Sequence, residues 1–151
     1  MAYKDDLLKE LDDERAAFTT CLAGLTDEQM TRVWLGSWSV KEVLAHVAGW
    51  QREMALALAR IARGERPTPE GVDYSNNDVW NDQFVEKQKE RSLAEQLVEL
   101  DAAFTAYRAA AAAVPAERFE PGRTVDRMLH ANAIDHFREH RAEIDAWRTS
   151  L

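Results

Sequence analysis

The chain is 151 residues long, which is about the length of one domain and enough to bury a single sizeable core. Its composition is 46% hydrophobic and 30% charged with six glycines and four prolines, too apolar for disorder and too poor in turn formers for a many-stranded β protein. The net charge of −8 opposes a phosphate-binding surface, because nucleic-acid binding depends largely on clustered Lys and Arg. These properties predict one all-α domain over residues 1–151 and exclude nucleic acid as a partner.

The N-terminal sequence and the cysteine count bear on where the protein resides. Cys21 is the only cysteine, so no internal disulfide can form. The start "MAYKDDLLKELDDER" is charged, and no stretch approaches the roughly 18–20 apolar residues that a membrane span needs. We therefore expect a cytoplasmic protein with no membrane partner.

Helix-start signals divide the first half of the chain. Apolar residues recur at three- and four-residue steps over residues 3–25, which predicts an amphipathic helix. "TDEQ" (26–29) is a possible capping box that opens a short turn. In "SVKE" (39–42) the Ser39 hydroxyl can cap the amide of Glu42, which predicts a second helix from Val40 to about Arg63.

The second half of the chain carries the same signals. After a surface loop over 64–76, a shorter helix is predicted in "NDVWNDQFVEKQKE". "SLAE" (92–95) repeats the capping signature and begins a helix that runs to about Val114. Thr124 can cap a last helix, whose inward stripe comprises Val125, Leu129, Ala133, His136, Phe137, His140, Ile144 and Trp147. The expected fold is a four-helix bundle with one or two additional short helices.

Two histidines lie on the inward stripe of the last helix. Residues four apart on a helix have Cβ atoms about 5–6 Å apart, so the imidazoles of His136 and His140 can reach one ion. Such a pair also occurs by chance, and two hydrogen-bonded core histidines are an alternative interpretation. The spacing alone leaves both interpretations open.

A third histidine, His46, lies on the inward stripe of the second helix, where packing can bring it opposite the pair. Burying three histidines among apolar residues is costly unless a cation satisfies one nitrogen of each. A three-histidine site leaves a coordination position for water or substrate, and zinc, nickel and ferrous iron all accept imidazole. His130 lies on another side of the last helix and is expected to be solvent-facing or merely packed.

Two stretches carry a family resemblance. "GSWSVKEVLAHVAGW" (36–50) and "HFREHRAEIDAWR" (136–148) resemble the DinB/YfiT-like superfamily of metal-binding helical bundles. The segments 77–97 and 121–129 look like its ClbS/DfsB and mycothiol-dependent maleylpyruvate isomerase-like branch. Carried over residue by residue, the resemblance implies that His46, His136 and His140 bind a divalent metal.

Other polar residues are weaker candidates. Asn81 and Asp78 in "DVWN" can line the mouth of the site or simply stabilise the short helix. Asp135 and Glu143 can accept an imidazole N–H, although solvated charges on the helix surface are the preferred interpretation. Cys21 is expected to be a small core residue and a poor nucleophile.

Three functions of different classes are consistent with the predicted histidine site and the family resemblance. The first is a metal-dependent thiol transferase or hydrolase that activates a low-molecular-weight thiol or water against a small electrophilic molecule, in detoxification or stress response. The second is a non-catalytic metal- or ligand-binding module, and the third a structural dimeric bundle. The sequence leaves open whether the site turns over, and it does not identify the substrate, the thiol or the metal.

We also predict a homodimer. Five Trp and five Phe in a small bundle leave apolar faces to cover, and two-fold dimers are the commonest assembly. Light scattering at tens of micromolar is expected to report twice the chain mass, and a monomer would contradict the prediction.

Overall fold

The computed structural model describes residues 2–151, of which α-helix is the main element. The α-helices are α1 (Tyr3–Leu22), α2 (Asp27–Thr31), α3 (Val40–Ala62), α4 (Asn77–Gln88), α5 (Leu93–Ala113), α6 (Thr124–Leu129) and α7 (Asp135–Arg148). A 3₁₀ turn covers Ala116–Arg118, a π-helical segment covers His130–Ile134, and the β structure within residues 2–151 is one isolated bridge between Leu35 and Trp38. The predicted all-α bundle is confirmed.

Three predicted helix starts are present, at Thr26, Ser39 and Ser92. Thr26 and Ser92 each form a complete capping box, with Gln29 and Glu95 as the reciprocal side chains. At α3 the Glu42 carboxylate accepts both the Ser39 amide, at 2.9 Å, and the Ser39 hydroxyl, at 2.7 Å. The backbone amide and the hydroxyl of Ser39 thus both donate to the Glu42 carboxylate at the start of α3. No helix within residues 2–151 has both the length and the apolar character needed to cross a membrane.

The chain forms two compact units, and the first comprises residues up to Val43 together with Ala116–Leu151. In this unit α1 packs against α7. The Phe18 and Phe137 rings meet with centroids 5.2 Å apart, and Trp34 stacks on Trp147 at 4.8 Å. These contacts anchor the helix that carries the histidine pair.

The second unit is Leu44–Pro115. The Arg52 guanidinium joins α3 to α5 through Glu99, at 2.7 Å, and the buried Gln88 side chain of α4 donates to the Ala45 carbonyl of α3. Its fully buried side chains include Leu44, Val47, Leu58, Leu100, Ala103, Tyr107 and Ala111. The prediction of a single domain stays a prediction.

The last helix differs from its prediction in two ways. The Asp135 N–H donates to the His130 carbonyl five residues back, so a π turn separates α6 from α7. The N-cap residue is Arg123 and not Thr124, and Arg123 makes no side-chain cap bond. The start of α6 is held instead by the Asp126 carboxylate, which accepts the Gly122 N–H at 2.8 Å.

Asp126→Asn is expected to lower the free energy of unfolding at pH 7 by roughly 1.5–3 kcal/mol, the usual worth of hydrogen bonds to a charged group. Asp126 is buried and accepts from the Tyr3 hydroxyl and from Gly122. Burial opposes its ionisation, but these two donors hold the pKa of its carboxyl below the usual range for Asp. A carboxyl with a lowered folded-state pKa stabilises the fold above its unfolded pKa and loses that contribution as pH falls through the folded value.

Urea unfolding of the wild type and Asp126→Asn at pH 7 and near pH 3 checks this prediction. The difference between the two proteins is expected to be smaller at the acidic pH. An equal difference at both pH values would contradict the assignment of an ionised, hydrogen-bonded Asp126.

Candidate metal centre

The two histidines on α7 lie next to each other. Four residues apart on the first two turns after the π segment, His136 and His140 have ring centroids 4.7 Å apart. His140 is buried and His136 half-buried, as their places on the predicted inward stripe require. Between them in sequence, Phe137 is fully buried and fixes the rotation of α7.

Glu143 orients the ring of His140. Its Oε1 lies 2.6 Å from His140 Nδ1, one helical turn away. A carboxylate accepts only, so Nδ1 carries the proton and Nε2 carries the lone pair. The preferred interpretation of Glu143 as a solvated charge is therefore wrong, whereas Asp135 lies beside His130 and Arg138.

Asn81 contacts the third histidine. Its Oδ1 lies 2.7 Å from His46 Nδ1 on α3 and 2.6 Å from Trp50 Nε1 one turn further along the same helix. His46 is 7% exposed, and Asn81 is half-buried on α4. Of the two predicted residues in "DVWN", the structure thus brings Asn81 to a histidine, while Asp78 is exposed.

The three predicted ligands form a cluster. One ring nitrogen from each of His46, His136 and His140 lies within 4.8 Å of the others. Two of these imidazoles have Nδ1 bonded to a side-chain oxygen, which is the usual outer contact of a metal-binding histidine. The donor set therefore fits a divalent transition metal such as zinc, nickel or ferrous iron.

The remaining reactive side chains lie in other environments. His130 is half-buried between Asp126 and Asp135, 3.5 Å from each, as expected for a packed histidine outside the cluster. Burial raises the pKa of the Cys21 thiol to about 11, so little thiolate forms at neutral pH. Cys21 is thus buried as predicted, and its raised pKa agrees with the prediction that it is a poor nucleophile.

Aromatic side chains surround the Asn81 contact in the second unit. Trp50, Tyr74, Trp80 and Phe84 meet with ring centroids 4.9–6.1 Å apart. The Tyr74 hydroxyl donates to Glu53 at 2.6 Å, and burial together with this carboxylate raises the pKa of Tyr74 to about 12. The apolar pattern of the sequence does not reveal that the Trp50 indole N–H donates to Asn81.

Gly49 allows α4 to approach α3. A Cβ at this position would lie 2.3 Å from Phe84 Cγ, so Gly49→Ala forces the phenyl ring to move. In an open helix this change would stabilise by about 1 kcal/mol, but overpacking costs ~1–3 kcal/mol. We expect Gly49→Ala to destabilise the protein in urea unfolding, and to do so by less when Phe84 is already Ala, because only the Cβ of residue 84, 2.6 Å from the added Cβ, then remains in the way. An equal loss of stability in both backgrounds would contradict the steric role of the phenyl ring.

Arginines line a cavity at the end of α3. The cavity has a volume of about 590 Å³, and its lining includes Arg60, Arg63, Arg66 and the acids Glu65 and Glu70. Arg63 pairs with Glu65 at 2.8 Å, and Arg60 donates to a loop carbonyl. The cavity thus presents three guanidinium groups and two carboxylates in a chain that is acidic as a whole.

Comparisons with known proteins identify the chain's relatives. A protein-family model described as the mycothiol maleylpyruvate isomerase N-terminal domain matches residues 11–147. No curated protein matches the chain by sequence. The family match spans more than half of the chain and includes all three histidines.

Solved structures share the fold. The sibling lethal factor precursor DfsB is 17% identical, with 97% of this chain and 95% of DfsB covered and a TM-score of 0.81. The colibactin self-resistance protein ClbS, in complex with double-stranded DNA, is 15% identical, with 98% and 96% covered and a TM-score of 0.83. A protein from Streptococcus pneumoniae is 16% identical, with 97% and 90% covered and a TM-score of 0.79. At these identities the likeness establishes the fold alone.

The exclusion of nucleic acid as a partner is wrong. ClbS has the same fold and is in complex with double-stranded DNA. The exclusion rested on a net charge of −8, which sums the whole chain and says nothing about the local potential. The arginine-lined cavity illustrates how an acidic chain still presents clustered guanidinium groups.

Proposed function

The chain belongs to the mycothiol maleylpyruvate isomerase N-terminal domain family, within the DinB/YfiT-like superfamily, and from this membership we propose that it is a divalent-metal-dependent enzyme. It activates a low-molecular-weight thiol or water for transfer to, or hydrolysis of, a small electrophilic molecule. The observation that carries the proposal is the cluster of three histidine nitrogens within 4.8 Å of one another.

The residues of the cluster divide into ligands and orienting groups. His46, His136 and His140, whose clustered ring nitrogens lie within 4.8 Å of one another, would hold the ion. Glu143 accepts the Nδ1 proton of His140, which leaves the lone pair on Nε2, and Asn81 Oδ1 lies 2.7 Å from His46 Nδ1. A divalent ion with three protein ligands acts as a Lewis acid and lowers the pKa of a coordinated thiol or water.

The alternative is a non-catalytic metal- or ligand-binding dimeric bundle. It uses the same histidines but requires no turnover, so metal content alone does not separate it from the enzyme. Homodimerisation and a cytoplasmic location are compatible with both and stay predictions.

Metal analysis followed by a turnover screen tests the proposal. Untagged protein purified anaerobically is expected to contain about one divalent ion per chain. The metal-loaded protein is then supplied with an electrophile such as maleylpyruvate, with and without mycothiol, and loss of the electrophile is followed. Protein that binds no metal overturns the proposal, and metal binding without turnover across thiols and electrophiles supports the non-catalytic alternative.

Nucleic-acid binding is a second candidate function, favoured by the arginine-lined cavity. Phosphate groups bind guanidinium pairs strongly, and Arg60, Arg63 and Arg66 lie around one cavity. Fluorescence anisotropy of a labelled DNA duplex is expected to show salt-dependent binding that Arg63→Glu with Arg66→Glu weakens. Arg32→Glu with Arg123→Glu, at two exposed arginines outside the cavity, changes the net charge equally and is the matched control. Equal binding by all three proteins would reject this site.

A further inference from the structure

One side-chain oxygen joins α4 to two residues of α3. Asn81 Oδ1 is 2.7 Å from His46 Nδ1 and 2.6 Å from Trp50 Nε1. His46 and Trp50 are one helical turn apart and are both buried, with 7% and 8% of their surfaces exposed. The Asn81 side chain is thus held between two nitrogen atoms that face it from the same helix.

The indole N–H of Trp50 determines which atom of the Asn81 amide faces it. An indole N–H only donates, so the Asn81 atom facing Trp50 has to be the oxygen and not the NH₂ group. That oxygen also faces His46 Nδ1, and an amide oxygen only accepts. The proton of neutral His46 therefore lies on Nδ1, and the lone pair lies on Nε2.

We propose that Asn81 is a positioning residue that fixes His46 in the Nδ1–H tautomer, and that Trp50 fixes Asn81 in the orientation this requires. The consequence for metal binding rests on the proposed function, but the tautomer itself is a property of the protein without metal. Glu143 fixes His140 in the Nδ1–H tautomer in the same way. An amide thus orients one proposed ligand, and a carboxylate orients another.

Substitutions of Asn81 and of Trp50 are expected to disturb the His46 tautomer in different ways. Asn81→Leu removes the acceptor, so nothing at this position selects the Nδ1–H tautomer. Trp50→Phe keeps an aromatic ring but removes the indole N–H, so the amide can turn and present its NH₂ group to Nδ1. His46 would then carry its proton on Nε2, and that nitrogen would no longer have a lone pair for an ion.

Long-range ¹H–¹⁵N spectra of metal-free, ¹⁵N-histidine-labelled protein measure the tautomers directly at a pH where the rings are neutral. The wild type is expected to show His46 as Nδ1–H, Asn81→Asp to retain it, and Asn81→Leu and Trp50→Phe to lose it. His140 serves as the internal reference, and Asp82→Asn, at the exposed neighbour on α4, is the matched control. Circular dichroism establishes that each variant is folded.

Metal titration supplies the second readout. If His46 is a ligand, Asn81→Leu is expected to bind zinc about 10–100-fold more weakly, and Asn81→Asp to restore the affinity. An Nε2–H wild type, or a folded Asn81→Leu protein with an unchanged tautomer, overturns the inference. A changed tautomer with unchanged zinc affinity supports the inference and overturns instead the assignment of His46 as a ligand.

Discussion

Replacing His140 with Ala is expected to abolish stoichiometric binding of a divalent metal, with affinity falling by more than the ~10–100-fold that loss of an orienting partner causes. His140 presents one of the three clustered nitrogens, and Glu143 at 2.6 Å already holds its Nδ1. Two imidazoles cannot supply the three protein ligands of such a site. Zinc titration with a competing chelator measures the loss, and His46→Ala and His136→Ala are expected to behave alike.

His130→Ala is the matched control for this prediction. His130 lies on the same continuous helical stretch, but it contacts Asp126 and Asp135 and is not among the clustered histidines. Its removal is expected to leave zinc affinity unchanged. Acid is expected to release the metal from the wild type, because protonated imidazole cannot ligate. Equal retention of metal by the His130 and His140 variants would mean that the cluster is not the binding site.

The sequence was sufficient for features that depend on neighbouring residues. The capping boxes at Thr26 and Ser92 were predictable because each needs only a hydroxyl and a Gln or Glu three residues later. The inward direction of His136 and His140 followed from the helical period of the apolar residues around them. The contact between Glu143 and His140 could also be predicted from the sequence, because an acid three residues after a histidine faces it across one turn.

Features that depend on packing between distant segments were not predictable. Asn81 reaches His46 across 35 positions of sequence, and its proximity depends on Gly49 admitting Phe84. The π turn at His130–Ile134 has no local sequence signature, and it packs against α1, which is distant in sequence. The exclusion of nucleic acid from the net charge was wrong for a related reason, because the net charge contains no information about where the arginines lie.

Phe137→Ala is expected to lower the free energy of unfolding by about 3–5 kcal/mol, the largest stability effect that we predict. The Phe137 side chain is fully buried, and its ring packs on Phe18 with the Arg15 guanidinium 5.9 Å from its centroid. Removal of the ring forfeits its transfer free energy and leaves a cavity where α1 meets α7. Because typical domains are stable by only about 5–15 kcal/mol, this loss consumes a large fraction of the total.

Urea unfolding measures this loss, with Val98→Ala on α5 as the control. Val98 is 68% exposed, so its truncation is expected to change stability by no more than about 0.5 kcal/mol. Phe137→Leu, which refills part of the cavity, is expected to fall between the two. Zinc is expected to bind the histidines on either side of Phe137 in the folded state alone. Added zinc is therefore expected to restore part of the lost stability. A Phe137→Ala protein as stable as Val98→Ala would contradict the packing of α7 against α1 that positions the histidine pair.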